Sequence, residues 1–155
     1  MRGDYGNDLR IHHPANSPSD ASAMFGLIHG GGFCLGNDFI HSYQLRAIAS
    51  IHHVTVVNLS YHLTPEHRFP AGPNDRKPPG LPGVSACIPY FLEEGIVPAQ
   101  YKDFYLVREQ NVDSMVINKE AMDFVLAAYR PDIMSAAFSP FQSEHPHTGM
   151  PPVYM

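Results

Sequence analysis

Two short apolar runs, at 24–29 and 54–59, dominate the pattern of the first sixty residues. The run at 54–59 is rich in β-branched residues and almost continuously apolar, which is typical of a strand buried on both faces of a sheet. The run at 24–29 predicts the first core strand, and it ends in a histidine and three glycines. A weaker alternation over 9–13 predicts an edge strand before both of them.

The segment between the two apolar runs has the spacing of a helix. It predicts a helix over roughly 40–52, with Asn37 or Asp38 as the N-cap residue. The residues that share one face of this helix are Leu45, Ile48, Ala49 and His52. A strand, a helix and a second strand in this order form a βαβ unit, so the sequence predicts the α/β class and a mostly parallel sheet.

The second half of the chain predicts two more strands and two helices. We expect one strand over 83–88 and the start of another at 151–155. A helix is predicted between Asn118, its N-cap, and Pro131, which ends it. Its apolar stripe at i, i+3, i+4 and i+7 consists of Met122, Val125, Leu126 and Tyr129. A shorter helix is predicted by the spacing of Tyr101, Phe104, Tyr105 and Arg108.

Proline interrupts this pattern between 59 and 83, where six prolines and two glycines occur. Parallel neighbouring strands need a crossover of a dozen or more residues, which is usually a helix. The prolines exclude a helix of useful size here, because proline lacks an N–H and clashes with the preceding turn. We therefore expect that a segment is missing near 77–80.

Composition excludes several classes of function. The chain has 155 residues, 44% of them hydrophobic, and a formal charge of −5, which predicts one domain and argues against nucleic acid as a partner. It contains no transmembrane segment, because no apolar stretch approaches the roughly 20 residues of a membrane-spanning helix. The polar start has no apolar h-region, so no signal peptide is expected. With only Cys34 and Cys87, a cytoplasmic protein with free thiols is expected.

The clearest candidate chemistry follows the run at 24–29, at His29, Gly30, Gly31 and Gly32. Glycine adopts positive φ without steric cost and lets backbone N–H groups approach a ligand closely. N–H groups that converge beyond the end of a strand can bind the oxyanion of an acyl-transfer intermediate. The alternative is that the three glycines only form a tight turn.

The His-Gly-Gly-Gly-Phe motif at 29–33 is followed at 61–71 by Tyr-His-Leu-Thr-Pro-Glu-His-Arg-Phe-Pro-Ala. Together they resemble the hormone-sensitive-lipase-like branch of the α/β-hydrolases, the fold-3 carboxylesterases, with departures at His62 and Thr64. The resemblance implies a partial three-layer sandwich in one incomplete domain, family-like over 8–76 and 81–155. It also implies lipase-like serine esterase activity on small, short-chain esters, with no cofactor. By resemblance Gly31 and Gly32 are the oxyanion donors, in a loop with His29 and Gly30.

The same resemblance implies that the catalytic triad is absent. In the family, a helix and the nucleophile-elbow strand follow the position of Asp75, whereas this chain continues directly into prolines. The strand that presents the catalytic Asp corresponds to 151–154, and the catalytic His would come after Met155. We therefore expect a sheet that lacks the nucleophile-elbow strand, and a chain that is inactive or nearly so.

Ser85 is a possible replacement nucleophile. It stands in the only Gly-x-Ser of the chain, and Ser85, Asp132 and His147 follow the order Ser, Asp, His. The final glycine of the elbow is missing and Pro89 follows, so an ordinary strand residue is favoured. A weak hydrolase that uses Ser85 and a non-catalytic pseudo-hydrolase that binds a ligand both remain as alternatives.

The other reactive side chains are expected to be bystanders. Ten histidines occur, but none has the spacing of a metal motif, so no metal site is expected. Cys34 directly follows the glycines without a partner base in the sequence. Glu66 and His67 are structural loop residues by resemblance.

Overall fold

The computed structural model describes residues 8–16, 23–75, 84–85, 90, 92–145, 148 and 152–154. It divides into two compact units, Met1–His67 and Arg68–Met155. Each unit is described by itself.

The first unit contains a three-stranded sheet in the order β1–β3–β2. Its strands are β1, Leu9–His12; β2, Met24–Ile28; and β3, Thr55–Leu59. β2 runs parallel to β3, beginning with Met24 opposite Thr55, and β1 runs antiparallel to β3. The three strands predicted in this region and the parallel pairing of the βαβ unit are confirmed.

Helix α1, Ser42–His52, connects β2 to β3 and covers the core of this unit. Leu45 and Ala49 of α1 are buried together with Val56 of β3. The partly buried residues around them are Leu27, Ile48 and Val54. His52, which was predicted on the same face of the helix, is exposed.

The start of α1 differs from the prediction, because neither Asn37 nor Asp38 caps the helix. The N-cap residue is His41, which has a φ of 65° and makes no side-chain capping hydrogen bond. The Asn37 side chain instead accepts hydrogen bonds within the preceding turn. Asn58 of β3 holds that turn, because its buried Nδ2 donates to the carbonyl oxygens of Asp38 at 2.5 Å and Ile40 at 2.9 Å. A residue far along the chain thus sets the start of the helix.

β2 is also different from its prediction, since it is an exposed strand and not a buried one. The exposed fractions of Met24 and Ile28 are 70% and 52%, and Leu27 alone in the strand packs against the core. Among the strands that the structure describes, β2 is hydrogen-bonded on one side only, to β3. Its apolar side chains therefore lie on an edge strand.

The second unit contains a small parallel sheet of β4, Val84–Ser85, and β5, Val153–Tyr154. The predicted strands at 83–88 and 151–155 are confirmed for these residues. Residues 83, 86–88, 151 and 155 lie outside the described residues, and so does Cys87.

The helices of the second unit are α2, Ala71–Asp75, α3, Val107–Gln110, and α4, Lys119–Tyr129. α2 has only five residues, as the proline content predicts. α3 follows a 3-10 helix at Ala99–Phe104, so the predicted short helix is split into two pieces.

α4 matches its prediction. Asn118 is its N-cap, with the side-chain oxygen accepting a hydrogen bond of 2.8 Å from the N–H of Ala121. Tyr129 at its end is buried, and its ring packs edge-to-face on Phe69 with the centroids 5.7 Å apart. The other members of the predicted stripe, Met122, Val125 and Leu126, are half-buried.

Candidate oxyanion site

Residues 29–36, which we call the glycine loop, turn back directly after β2. The carbonyl oxygen of Gly31 accepts hydrogen bonds from the N–H groups of Cys34 at 3.2 Å and Leu35 at 3.0 Å. Gly31 and Gly32 have φ values of 124° and 60°. A Cβ on Gly31 would lie 1.8 Å from the carbonyl oxygen of Leu35. Only glycine fits at this position.

Gly30 has no such restriction. A Cβ at this residue would meet no atom within 4 Å, and its φ is not among the positive values of the loop. The three consecutive glycines of the motif are therefore not equivalent, because steric crowding requires glycine at Gly31 and does not require it at Gly30.

His29 braces the loop from inside the unit. Its side chain is buried, and Nδ1 lies 2.7 Å from the carbonyl oxygen of Gly30. Since a carbonyl oxygen only accepts, Nδ1 carries the hydrogen in this contact. The ring stacks on Tyr61 with the centroids 4.7 Å apart. On the other side, a Cβ on Gly36 would lie 2.0 Å from Nδ1 of His29, so the backbone touches the ring there.

The second motif clamps the loop through Thr64. The N–H of Thr64 donates to the carbonyl oxygen of Phe33 at 2.9 Å, and the Thr64 hydroxyl donates to the same oxygen at 3.3 Å. The Cys34 sulfur lies 2.9 Å from the Thr64 hydroxyl oxygen. Because the hydroxyl hydrogen is directed to Phe33, the Cys34 thiol is the donor in this contact.

Sequence reasoning missed this contact, because it treated Thr64 as a departure from the family pattern and Cys34 as a bystander. The two residues are 30 positions apart. The signal that could have found the contact is the hydroxyl at Thr64, because a hydroxyl that becomes buried needs a partner.

Burial also sets the ionisation of the bracing tyrosine. Loss of hydration raises the pKa of Tyr61 above its usual value, and the nearby Cys34 thiol raises it further. The phenol is therefore neutral at physiological pH, and no charge from it opposes an anion at the loop.

The loop leaves two backbone donors unused. Among the described residues, no atom accepts a hydrogen bond from the N–H groups of Gly31 or Gly32. Unpaired N–H groups in a fixed turn can bind an oxygen that carries negative charge.

Of the alternative triad, the structure describes Ser85 and Asp132. Ser85 lies exposed in β4, and no hydrogen bond joins it to Asp132. The Asp132 carboxylate accepts a hydrogen bond from the N–H of Met134 in its own turn. His147 lies outside the described residues.

Glu66 and His67 lie exposed in the second motif. The His67 ring packs edge-to-face on His62 with the centroids 4.1 Å apart. Over the described ranges, no three His, Cys, Asp or Glu side chains are grouped so that they could hold a metal ion. A search of the same ranges finds no helix both long and apolar enough to cross a membrane.

Comparison with known families places this loop in context. The family whose model matches residues 26–76 is the α/β-hydrolase fold, and this range contains β2, the glycine loop, α1, β3 and the second motif. The structure of vibralactone cyclase aligns with a TM-score of 0.80 at 21% identity, over 94% of this chain and 57% of that one. Residues 26–76 therefore match the α/β-hydrolase family, and the aligned structure shows that fold over most of the chain. The resemblance seen in the two motifs is thus confirmed, and the partial sheet is part of an α/β-hydrolase fold.

Two further structures show the same fold. An α/β-hydrolase enzyme from the metagenome of Lake Arreo, Spain, aligns with a TM-score of 0.72 at 20% identity, over 94% of this chain and 57% of that one. A thermostable esterase from Pseudomonas putida aligns with a TM-score of 0.66 at 16% identity, over 95% and 58%. The chain therefore spans less than two thirds of the length of these three structures.

A curated protein of Aspergillus terreus is also similar in sequence. It is named FAD-linked oxidoreductase pytB and is 28% identical over 160 residues, which is 78% of this chain and 20% of that protein. The chain thus corresponds to about a fifth of that protein's length.

Proposed function

We propose that the glycine loop is the oxyanion-binding part of a carboxylic ester hydrolase site, with Gly31 and Gly32 as the donors. The observation that carries this proposal is their two unpaired N–H groups, in a turn that His29 and Thr64 hold in place. Donors fixed before the reaction can stabilise the developing oxyanion without reorganisation. The substrate class that the family implies is a small ester of a short-chain acid.

We further propose that the 155-residue chain does not hydrolyse esters, or does so only marginally. No Gly-x-Ser-x-Gly pentapeptide occurs in the sequence. An oxyanion site without an activated nucleophile gives attacking water only limited help, because the triad supplies most of the rate enhancement. The half-buried Cys34 thiol, which is in no disulfide, suits a reducing compartment such as the cytoplasm.

The test is the hydrolysis rate of p-nitrophenyl acetate and butyrate by the wild-type chain and by Ser85→Ala. Ser143→Ala, which removes another exposed serine of the second unit, is the matched control. We expect all three rates to equal that of buffer. Turnover by the wild type that Ser85→Ala abolishes and Ser143→Ala retains would instead establish a hydrolase that uses Ser85.

A non-catalytic binding module is the second candidate. It is favoured by the way the glycine loop is fixed, since Tyr61 and Thr64 brace it without any nucleophile. Saturable binding of butyrate to the chain, combined with the absence of turnover, would support this function.

A further inference from the structure

The first unit contains a polar cavity of about 380 Å³ that is lined from β1 and α1. Its lining residues are Ile11, His12, His13, Ala15, Arg46 and Ser50. None of these is a carboxylate, and three of them carry cationic or ionisable nitrogen groups. The cavity shares no lining residue with the glycine loop, so it is a separate feature of this unit.

Arg46 brings an unmatched positive charge to this cavity. Among the described residues, no carboxylate lies within ion-pair distance of its guanidinium group. Arg10 and Arg108, by contrast, pair with Asp38 at 3.0 Å and Glu93 at 2.8 Å. Although the chain has a net charge of −5, the Arg46 guanidinium has no acidic partner within the described ranges, and none of the described residues that line the cavity is acidic.

His12 adds an unused polar atom to the same wall. Its Nε2 is buried, and no described residue offers it a hydrogen-bond partner. Burial lowers the pKa of His12, and the charges of Arg10 and Arg46 lower it further. Both guanidinium groups thus act on this ring. A buried nitrogen without a partner is costly, so a ligand group that hydrogen-bonds to it would remove this cost.

We propose that this cavity binds the phosphate group of a small phosphorylated molecule. The Arg46 guanidinium can bind two phosphate oxygens at once. The imidazole of His12 and the hydroxyl of Ser50 can each donate a further hydrogen bond without carrying a charge. These three side chains suit a phosphate group, which has three exposed oxygens. A carboxylate has only two oxygens, and the guanidinium alone would bind both of them. The cavity volume leaves room for an organic group beyond the phosphate.

The experiment is an NMR titration of the 155-residue chain at constant ionic strength, following the side-chain signals of His12 and Arg46. The probes are inorganic phosphate, phenyl phosphate and acetate. We expect saturable shifts with both phosphates, tighter binding of phenyl phosphate, and no saturation with acetate. Equal affinity for the two phosphates would contradict a phosphorylated organic ligand, and acetate binding as tight as phosphate would contradict the phosphate assignment.

Two variants distinguish binding at this cavity from non-specific attraction of phosphate to positive charge. Arg46→Gln should weaken phosphate binding about tenfold or more, because it removes a charge-assisted pair of hydrogen bonds. Arg68→Gln removes an exposed arginine that does not line the cavity, and it should change the affinity by less than about twofold. Equal affinities of these two variants would overturn the proposal. Ser50→Ala, at an exposed helix position, should weaken binding about threefold.

Discussion

β2 and β3 are adjacent parallel strands that the sequence makes similarly apolar, yet only β3 is buried. In β3, Val56 and Asn58 are completely inaccessible, whereas Met24 and Ile28 of β2 are mostly exposed. β3 has hydrogen-bonded strands on both sides, and Val56 packs beneath α1, while β2 pairs only with β3 among the described strands. The burial of a strand thus depends on the strands and helices that pack against it. An apolar sequence alone does not determine whether the strand is buried.

The exposed strand nevertheless leads into a turn in which Gly31 is sterically restricted to glycine. The segment after β3 reaches back to the segment after β2, with Tyr61 on His29 and Thr64 on Phe33. The glycine loop is thus fixed by contacts between the two strand ends.

The largest effect is expected from placing the same charge in each strand. Val56→Asp buries a carboxylate without a partner. We therefore expect the free energy of unfolding to fall by more than about 4 kcal/mol, which would leave no cooperative unfolding transition. Ile28→Asp should cost less than about 1 kcal/mol, because this side chain is half in solvent. Thermal unfolding followed by circular dichroism measures both. Equal losses would show that β2 is as buried as β3.

The second effect tests the glycine loop. Gly31→Ala should cost about 3 kcal/mol or more, because it forces a methyl group onto the Leu35 carbonyl at a positive φ. Gly30→Ala, one residue earlier, should change the stability by less than about 0.5 kcal/mol. Urea unfolding compares the two variants. If both alanines are tolerated, the loop is not held in the conformation described.

The third effect concerns the edge of β2 that pairs with no other described strand. An apolar edge strand without charges is a template for pairing with other chains, so we expect low solubility and self-association. Met24→Lys should weaken self-association about tenfold. Tyr43→Lys adds the same charge on α1, at a side chain that is also exposed, and should have little effect. Sedimentation velocity distinguishes them, and equal effects would mean that net charge alone controls association.

The smallest effect concerns the clamp after β3. Thr64→Val removes the hydroxyl that joins Phe33 and Cys34, and we expect a loss of about 1–2 kcal/mol. Thr55→Val, in β3, makes the same change at a hydroxyl without a hydrogen bond to the described residues, and should cost less than about 0.5 kcal/mol. Urea unfolding again gives the comparison. If Thr64→Val lowers the free energy of unfolding no more than Thr55→Val does, the Thr64 hydroxyl does not stabilise the glycine loop.

The sequence predicts the elements that local periodicity defines. The strands of the βαβ unit, the helix α4 and its cap at Asn118 all follow from spacing and capping chemistry within one segment. The position of the glycine loop also follows from one segment, because the glycines stand directly after an apolar run.

What the sequence does not predict depends on contacts between distant segments. The start of α1 is set by Asn58, and the shape of the glycine loop by Thr64, which meets Cys34 across 30 residues. The cavity of His12 and Arg46 joins β1 to α1 in the same way. A single sequence shows the residue types but not which of them meet.

The most direct test of the central claim is an amide-proton NMR titration of the wild-type chain with butyrate. The claim is that Gly31 and Gly32 offer unpaired backbone donors to an oxyanion. We predict saturable downfield shifts of these two amide signals and none at Gly95, an exposed glycine in the second unit. Unchanged signals of Gly31 and Gly32 at saturating butyrate, or shifts of the same size at Gly95, would contradict it.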